Sequence, residues 1–305
     1  MEIITLEKHT SYDLPETICA IGFFDGVHLG HQALIKEVIN VSKKTGLKKA
    51  VMTFDQHPLT VLKGEKTHYI TSFDKRAKIL EAMGIDYLYV IAFDKEVAAL
   101  DPADFVQEYL INNHVRHIVA GFDFHFGSHN KGSVEDLKAL MPHVSVIDPI
   151  YYDAQRKVSS TLIKKLIVEG NIPEANRLMG RPFEISGEVI HGKQRGRLMG
   201  FPTANVAYGS SILPAHGVYS VKVNVNGKIY IGMGNIGKNP TFNDIHQDSL
   251  EINIFDFDED IYGQVISVQL YRQTRGEIKF SSMDALKAQL IRDQKIIRKE
   301  FEKGD

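Results

Sequence analysis

The chain has 305 residues, 43% of them hydrophobic and 24% charged, and a net charge of −2. That length suits two domains, the composition excludes a disordered chain, and the near-neutral balance offers no basic field for nucleic acid. A single cysteine, Cys19, excludes an internal disulfide and a cysteine-rich zinc site; with no apolar run long enough to span a bilayer and no secretory signal at Met1–Thr5, a cytoplasmic protein is expected, without a membrane or nucleic-acid partner.

Thr17 to Phe23 reads as a buried strand that Asp25-Gly26 breaks. A helix follows from Gly30, with Leu34, Ile35, Val38, Ile39 and Val41 on its inner face. Lys43 and Lys44 suit its last turn and Gly46 stops it. With Lys48 and Lys49 these lysines read as a solvated helix end. Ala50 to Phe54 is a second strand, and Asp55-Gln56-His57-Pro58 a loop. Phe73, Ala77, Leu80 and Met83 mark a helix that ends at Gly84, before a strand from Tyr87 to Phe93. Asp101-Pro102 opens a helix through Phe105, Val106, Tyr109 and Leu110. Val115 to Ala120 and Val144 to Ile147 are further strands. Strands alternating with helices predict a parallel sheet covered on its faces. Ser159 or Ser160 then caps a helix through Leu162, Ile163, Leu166 and Ile167, and Pro173 to Met179 forms a short one.

After Arg181-Pro182 the strands shorten and glycine-bearing turns separate them. They run from Ile185 to Ile190, Gly217 to Val225, Lys228 to Gly232, Glu251 to Phe255 and Val265 to Tyr271. Asn226-Gly227 is a hairpin signal. This half predicts an antiparallel barrel or sandwich, ended by an amphipathic helix from about Ser282 with Met283, Leu286, Leu290, Ile297 and Phe301 inward. The fold expected is therefore α/β plus β, with domains 1–181 and 182–305.

Chemistry collects at two places. The first is Gly22-Phe23-Phe24-Asp25-Gly26-Val27-His28-Leu29-Gly30-His31, at the first strand-to-helix turn. Glycine-rich backbone before a helix N-terminus favours anions, and His28 and His31 can add donors to a phosphate as charge develops on it. Metal ligation by the two histidines, or simple capping, are the other readings. The segment resembles the His-x-Gly-His signature of nucleotidylyltransferases, and more narrowly the form found in bacterial FAD synthetases. Ser159-Ser160-Thr161 resembles that family's second motif, where two positive residues follow; here the chain has Leu162 and Lys164 in place of arginine. Thr53 to Pro58 resembles the family's Phe-Asp-Pro-His-Pro loop, and Gly121 to Gly127 its Gly-x-Asp-Phe-x-Phe-Gly segment. The resemblance implies ATP contacts from Gly22, Phe24, Asp25, Gly26, Gly30, His57, Ser159, Ser160, Thr161 and Lys164. It places Asp123, Phe124 and Phe126 near a flavin. A strand-end core cluster is the competing reading for the phenylalanines.

The second place is Gly192-x-x-x-Gly196-Arg197-Leu198-Met199-Gly200-Phe201-Pro202-Thr203-Ala204-Asn205. The glycines allow backbone close to phosphates. Thr203 and Asn205 share one face of a following strand and present neutral oxygens to a hard cation. In Leu250-Glu251-Ile252-Asn253-Ile254, alternation turns Glu251 away from the apolar side, where a carboxylate can take a proton. The first stretch resembles the riboflavin kinase motif. Gly234 to Phe242 resembles the Asn-Ile-Gly-x-x-Pro-Thr-Phe loop of the same family, and the Arg275-x-Glu277-x-Lys279-Phe280 segment a further part of it; the family commonly has histidine at the position of Asn253. In relatives these last segments close over the flavin, which assigns Arg275 and Glu277 to flavin binding; a salt bridge between Arg275 and Glu277 is the alternative.

The resemblance covers nearly the whole chain in order. It implies a bifunctional riboflavin kinase and FMN adenylyltransferase, using Mg2+ and ATP, with riboflavin, FMN and FAD as substrate, intermediate and product. Glu251 would be the kinase base, Thr203 and Asn205 metal ligands, and Gly192, Gly196, Gly200 and Pro202 the phosphate flap. Two alternatives follow: a chain with only one active domain, the adenylyltransferase being weakened at positions 162 and 164, or a flavin-responsive regulator.

Overall fold

A computed structural model describes residues 1–64, 67–192, 196, 200–240 and 246–302, with backbone alone at 239, 240, 246 and 247. The chain packs as two units, Met1–Ser160 and Thr161–Asp305.

The first unit is built on a six-stranded, fully parallel sheet. Its strands are β1 (Glu2–Leu6), β2 (Thr17–Ile21), β3 (Lys48–Phe54), β4 (Tyr87–Ile91), β5 (Val115–Gly121) and β6 (Val144–Ile147), in the order β1-β4-β3-β2-β5-β6. Alternate residues of one strand feed two cores. Ile18 and Ala20 of β2 face α1 (Leu29–Thr45) and α3 (Phe73–Ala82), while Cys19 and Ile21 join Phe105, Tyr109 and Leu137 on the other side. Burial pushes the Cys19 thiol well above its ordinary range, so this cysteine is inert packing. The expected segments form, with α4 (Lys95–Ala98), α5 (Pro102–Phe105, continuing as a π-helical turn Val106–Ile111) and α6 (Val134–Leu140) completing the faces.

Three features depart from expectation. The edge strand β1 was not expected: Ile4 and Leu6 pack on the core while Ile3 is 49% exposed, and β4 is its partner in the sheet. The loop after Phe54 turns at once into α2 (Pro58–Lys63): Pro58 occupies the first turn and His57 caps it. Asp101 precedes α5 without a side-chain cap bond.

In the second unit, the rest of α7 (Ser160–Val168) and α8 (Ile172–Met179) lead into a closed antiparallel barrel. The barrel contains β7 (Phe183–Ile190), β8 (Ala204–Ala207), β9 (Gly217–Val225), β10 (Lys228–Pro240), β11 (His246–Ile254) and β12 (Val265–Gly276), ordered β10-β11-β8-β7-β12-β9. Asn226 and Gly227, both at positive φ, make the β9–β10 hairpin. The Gly234–Pro240 stretch, expected as a loop, is strand: β10 pairs with β11 from Gly232↔Ile254 to Pro240↔His246. Cross-strand pairing overrides its turn-forming residues. Thr241 and Phe242 of that motif lie outside the described residues. Helix α9 (Met283–Glu302) is capped by Ser282 and covers one outer face, where Ile297, Leu290 and Phe301 meet Phe201, Val218, Met233 and Phe255. Met283, expected inward, is 57% exposed at the first turn.

Candidate active sites

In the first unit the chain leaves β2 for β3 on one side, while β5 lies on the other. This is the switch point of the sheet, where ligands collect beyond the carboxyl ends. Gly22–His31 follows β2 there and Gly121–Gly127 follows β5. The turn is a contorted one: Phe24, Gly26 and Val27 all have positive φ, at 57°, 85° and 37°. Only glycine takes such φ freely, and each other residue costs about 1–3 kcal/mol, so the turn persists because its surroundings over-determine it. Asp25, 3% exposed, accepts from the backbone N–H of Ile70 and Thr71 at 2.9 and 3.1 Å, and its carbonyl accepts from Ser160 Oγ at 2.8 Å. Ser160 of the second motif thus reaches the first.

His28 is the N-cap of α1, its Nδ1 accepting from the His31 N–H at 3.3 Å. The two rings stack at 3.6 Å, and Phe24 lies 5.0 Å beneath His31. Capping and phosphate contact are therefore compatible readings of the same pair. Among the described residues no group of three or more His, Cys, Asp and Glu side chains is placed to hold a metal. Phe24 is fully buried, so its ring is core support. His57 caps α2, and its ring stands edge-on 4.9 Å from Phe23. Thr161 and Lys164 lie on α7; Leu162 is buried on that helix with Ile163, Leu166 and Ile167. Leu162 thus adds to the buried face of this helix.

At the second loop, Asp123 is ion-paired with Lys157, whose Nζ also lies 5.0 Å above the Phe122 ring. Phe124 and Phe126 stack at 5.7 Å, but Phe126 is 5% exposed and packs on Phe105. Phe126 is thus a core residue, and Phe124, half-buried, leads from it towards the surface. Sequence reasoning missed Arg76 and Lys157, which belong to no motif it used.

In the barrel, register brings the second set together. Glu251 pairs with Asn205 on β8 and with Asn235 on β10, so an asparagine flanks it on each side. Leu250, Ile252 and Ile254 are buried, as the alternation required, while Glu251 is intermediate. Asn253, 6% exposed, donates its amide N–H to the Pro202 carbonyl at 2.7 Å. That bond ties the start of the Thr203–Asn205 segment to the strand of Glu251. A Cβ at Gly192 would run into the Asn205 amide, so glycine there makes room for it. Phe201 N–H donates to Gly196 O at 2.9 Å and closes the base of the flap; Arg197, Leu198 and Met199 lie outside the described residues.

Pro202, Thr203 and Ala204 line a cleft of about 300 Å3 with Val189, Ile252 and Ile261. Tyr262 also lines it and stacks on His191 at 3.9 Å, a partner the sequence did not suggest. A second cleft, of about 250 Å3, runs past Gly200, Phe201 and Asn253 to Gln294 of α9. Arg275 does not pair with Glu277. Its Nε donates to Asp293 on α9 at 2.8 Å, and Asp293 is 1% exposed. Glu277 is exposed, near Gly237 of β10.

The sequence model of the FAD synthetase family matches residues 10–162, and that of the riboflavin kinase family residues 179–301. The chain is 41% identical to the bifunctional riboflavin kinase/FMN adenylyltransferase of Listeria monocytogenes, over 94% of this chain and 93% of that protein. It is 40% identical to the one of Bacillus subtilis, over 92% and 90% respectively. A solved structure described as a macrolide-efflux protein from Streptococcus pneumoniae is 36% identical and superimposes with a TM-score of 0.90, covering 98% of this chain and 99% of that one. Among the described residues no helix is long and apolar enough to cross a membrane.

Proposed function

The chain belongs to the bifunctional riboflavin kinase/FMN adenylyltransferase family and makes FAD in two transferase steps, and we propose that each step is carried by one of the two sites described above. Its substrates and products are riboflavin, FMN, FAD and ATP. Both family halves match, so a chain with one active domain, or a regulator, is not the favoured reading.

We assign FMN adenylylation to residues 1–181. An FMN phosphate oxygen attacks the α-phosphorus of ATP, and pyrophosphate leaves. His28 and His31 at the start of α1 add donors and a positive dipole end where negative charge develops. Asp123 and Phe124 would hold the flavin. The Lys157 ion pair sets the Asp123 carboxylate.

Riboflavin phosphorylation is assigned to residues 182–305. The flavin's terminal ribityl hydroxyl attacks the γ-phosphorus of ATP, and ADP leaves. Glu251 accepts the hydroxyl proton, and the Gly192–Pro202 flap covers the phosphates. Mg2+ fits the donors present: Thr203 and Asn205 supply neutral oxygens beside a carboxylate, the hard set this ion prefers, and Gly192 leaves space for the Asn205 amide. Bound there, the ion would neutralise phosphate charge. Both reactions are placed in the cytoplasm, where their nucleotide substrate is made.

The observation that carries the kinase assignment is the Glu251↔Asn205 register. Its test is Glu251→Gln, which keeps shape and removes the base. Conversion of riboflavin to FMN should fall by at least about 100-fold. Activity within a few-fold of the parent chain would remove Glu251 from the mechanism.

A further inference from the structure

We propose that Arg76 is a positioning residue for adenylyl transfer, a buried cation that fixes the Phe23–Asp25 turn from below and thereby the alignment of His31. The inference rests on the assignment of the Gly22–His31 turn to that reaction.

Arg76 lies in the second turn of α3 and is 3% exposed. Its Nη1 donates to the Phe23 carbonyl at 2.5 Å, and Thr53 Oγ1 donates to the same oxygen at 3.1 Å. The guanidinium lies 4.8 Å from the Phe23 ring centre and 5.5 Å from that of Phe73. Phe23 in turn meets His57 at 4.9 Å and Tyr69 at 5.8 Å. The carbonyl so held directly precedes Phe24, which is at positive φ and sits beneath His31. The turn is therefore gripped at three points. Arg76 and Thr53 hold its first residue, the Ile70 and Thr71 amides hold the Asp25 carboxylate, and Ser160 holds the Asp25 carbonyl.

Burying a guanidinium is costly, and its Nε finds no acceptor among the described residues. Burial accordingly lowers the Arg76 pKa, with Asp25 and Tyr69 pulling it back. A methionine could pack between Phe23 and Phe73 without that cost. What it could not do is donate to the Phe23 carbonyl and so hold the turn by a charged hydrogen bond. Displacing the turn by a fraction of an ångström moves Phe24 and with it the His31 ring, and small misplacements of groups at a reacting centre cost rate more than binding.

The test uses the full chain with Arg76→Met and Arg76→Lys, reading FAD formation from supplied FMN and ATP, FMN formation from riboflavin, and thermal unfolding. Arg76→Met should lower kcat for adenylylation about 10- to 100-fold. The KM for FMN and the rate of FMN formation should stay near parental values. Arg76→Lys, a point charge without the planar fork, should fall in between. A folded Arg76→Met with parental kcat overturns the proposal. If Arg76→Met unfolds the first unit, Arg76→Lys decides: a lowered kcat at unchanged melting temperature supports the role, and parental kcat overturns it. His31→Ala, run in parallel, separates this from the underlying assignment. If His31→Ala leaves FAD formation intact, the assignment of the turn itself fails, whatever Arg76 does.

Discussion

Asn253 shows how a residue with no chemistry of its own can set a reactive geometry. Its amide holds the Pro202 carbonyl at 2.7 Å, one residue before Thr203 and two residues along the strand from Glu251. Histidine, common in the family at this position, can also donate a ring N–H to a carbonyl. Asn253→Ala should therefore lower kcat for FMN formation about tenfold, and Asn253→Asp, which turns a donor into an acceptor facing a carbonyl, at least as much. Asn253→His should retain most activity. Steady-state kinetics with riboflavin varied checks all three, and a histidine variant as poor as alanine would contradict the role. The direction of the Glu251 side chain was legible from alternation between Leu250, Ile252 and Ile254, because strand geometry decides which way a side chain points. Asn253 and Arg76 were not legible. Their roles depend on a carbonyl and two aromatic rings far away in sequence, and no spacing encodes such contacts.

Among elements, α9 is tied to the barrel through buried charges. Its Asp293 is buried and shared between Arg275 at 2.8 Å and Gln289 at 2.7 Å. Glu300, nearly as buried, accepts from Ser220 and Arg272. These bonds bind the helix to β9 and β12, so Arg275 is in the first place a strut for α9. Removing one partner of a buried ion pair typically costs about 3–5 kcal/mol, since the other charge stays behind unpaired. Asp293→Ala should therefore lower the unfolding free energy by about 3 kcal/mol, read from denaturant midpoints at unchanged slope. A loss below about 1 kcal/mol would show that Arg275 finds water or another partner. Helices with strong periodicity, such as α1 and α9, were legible because burial of one face dictates their pattern. The far half of β10 was not. Gly234, Gly237, Asn239 and Pro240 read as a loop, and only pairing with β11, supplied from downstream in the chain, makes them strand.

At the scale of the whole molecule, the chain joins two unrelated architectures, a parallel sheet and a closed barrel, and the proposed function gives each of them an ATP site. Each site stands on its own elements: the β2–α1 turn with Ser160 in one, and β8 with β11 in the other. On the proposed assignment the product of the barrel is the substrate of the sheet, so separate sites make a separable sequence of reactions. The measurement that tests this most directly combines two single variants, Glu251→Gln and His31→Ala, with riboflavin and Mg-ATP, and follows FMN and FAD by chromatography. Glu251→Gln alone should leave riboflavin unconverted yet make FAD from added FMN, His31→Ala alone should stop at FMN, and the mixture should carry riboflavin through to FAD. Failure of Glu251→Gln to use added FMN, together with a mixture that yields no FAD, would contradict two independent sites.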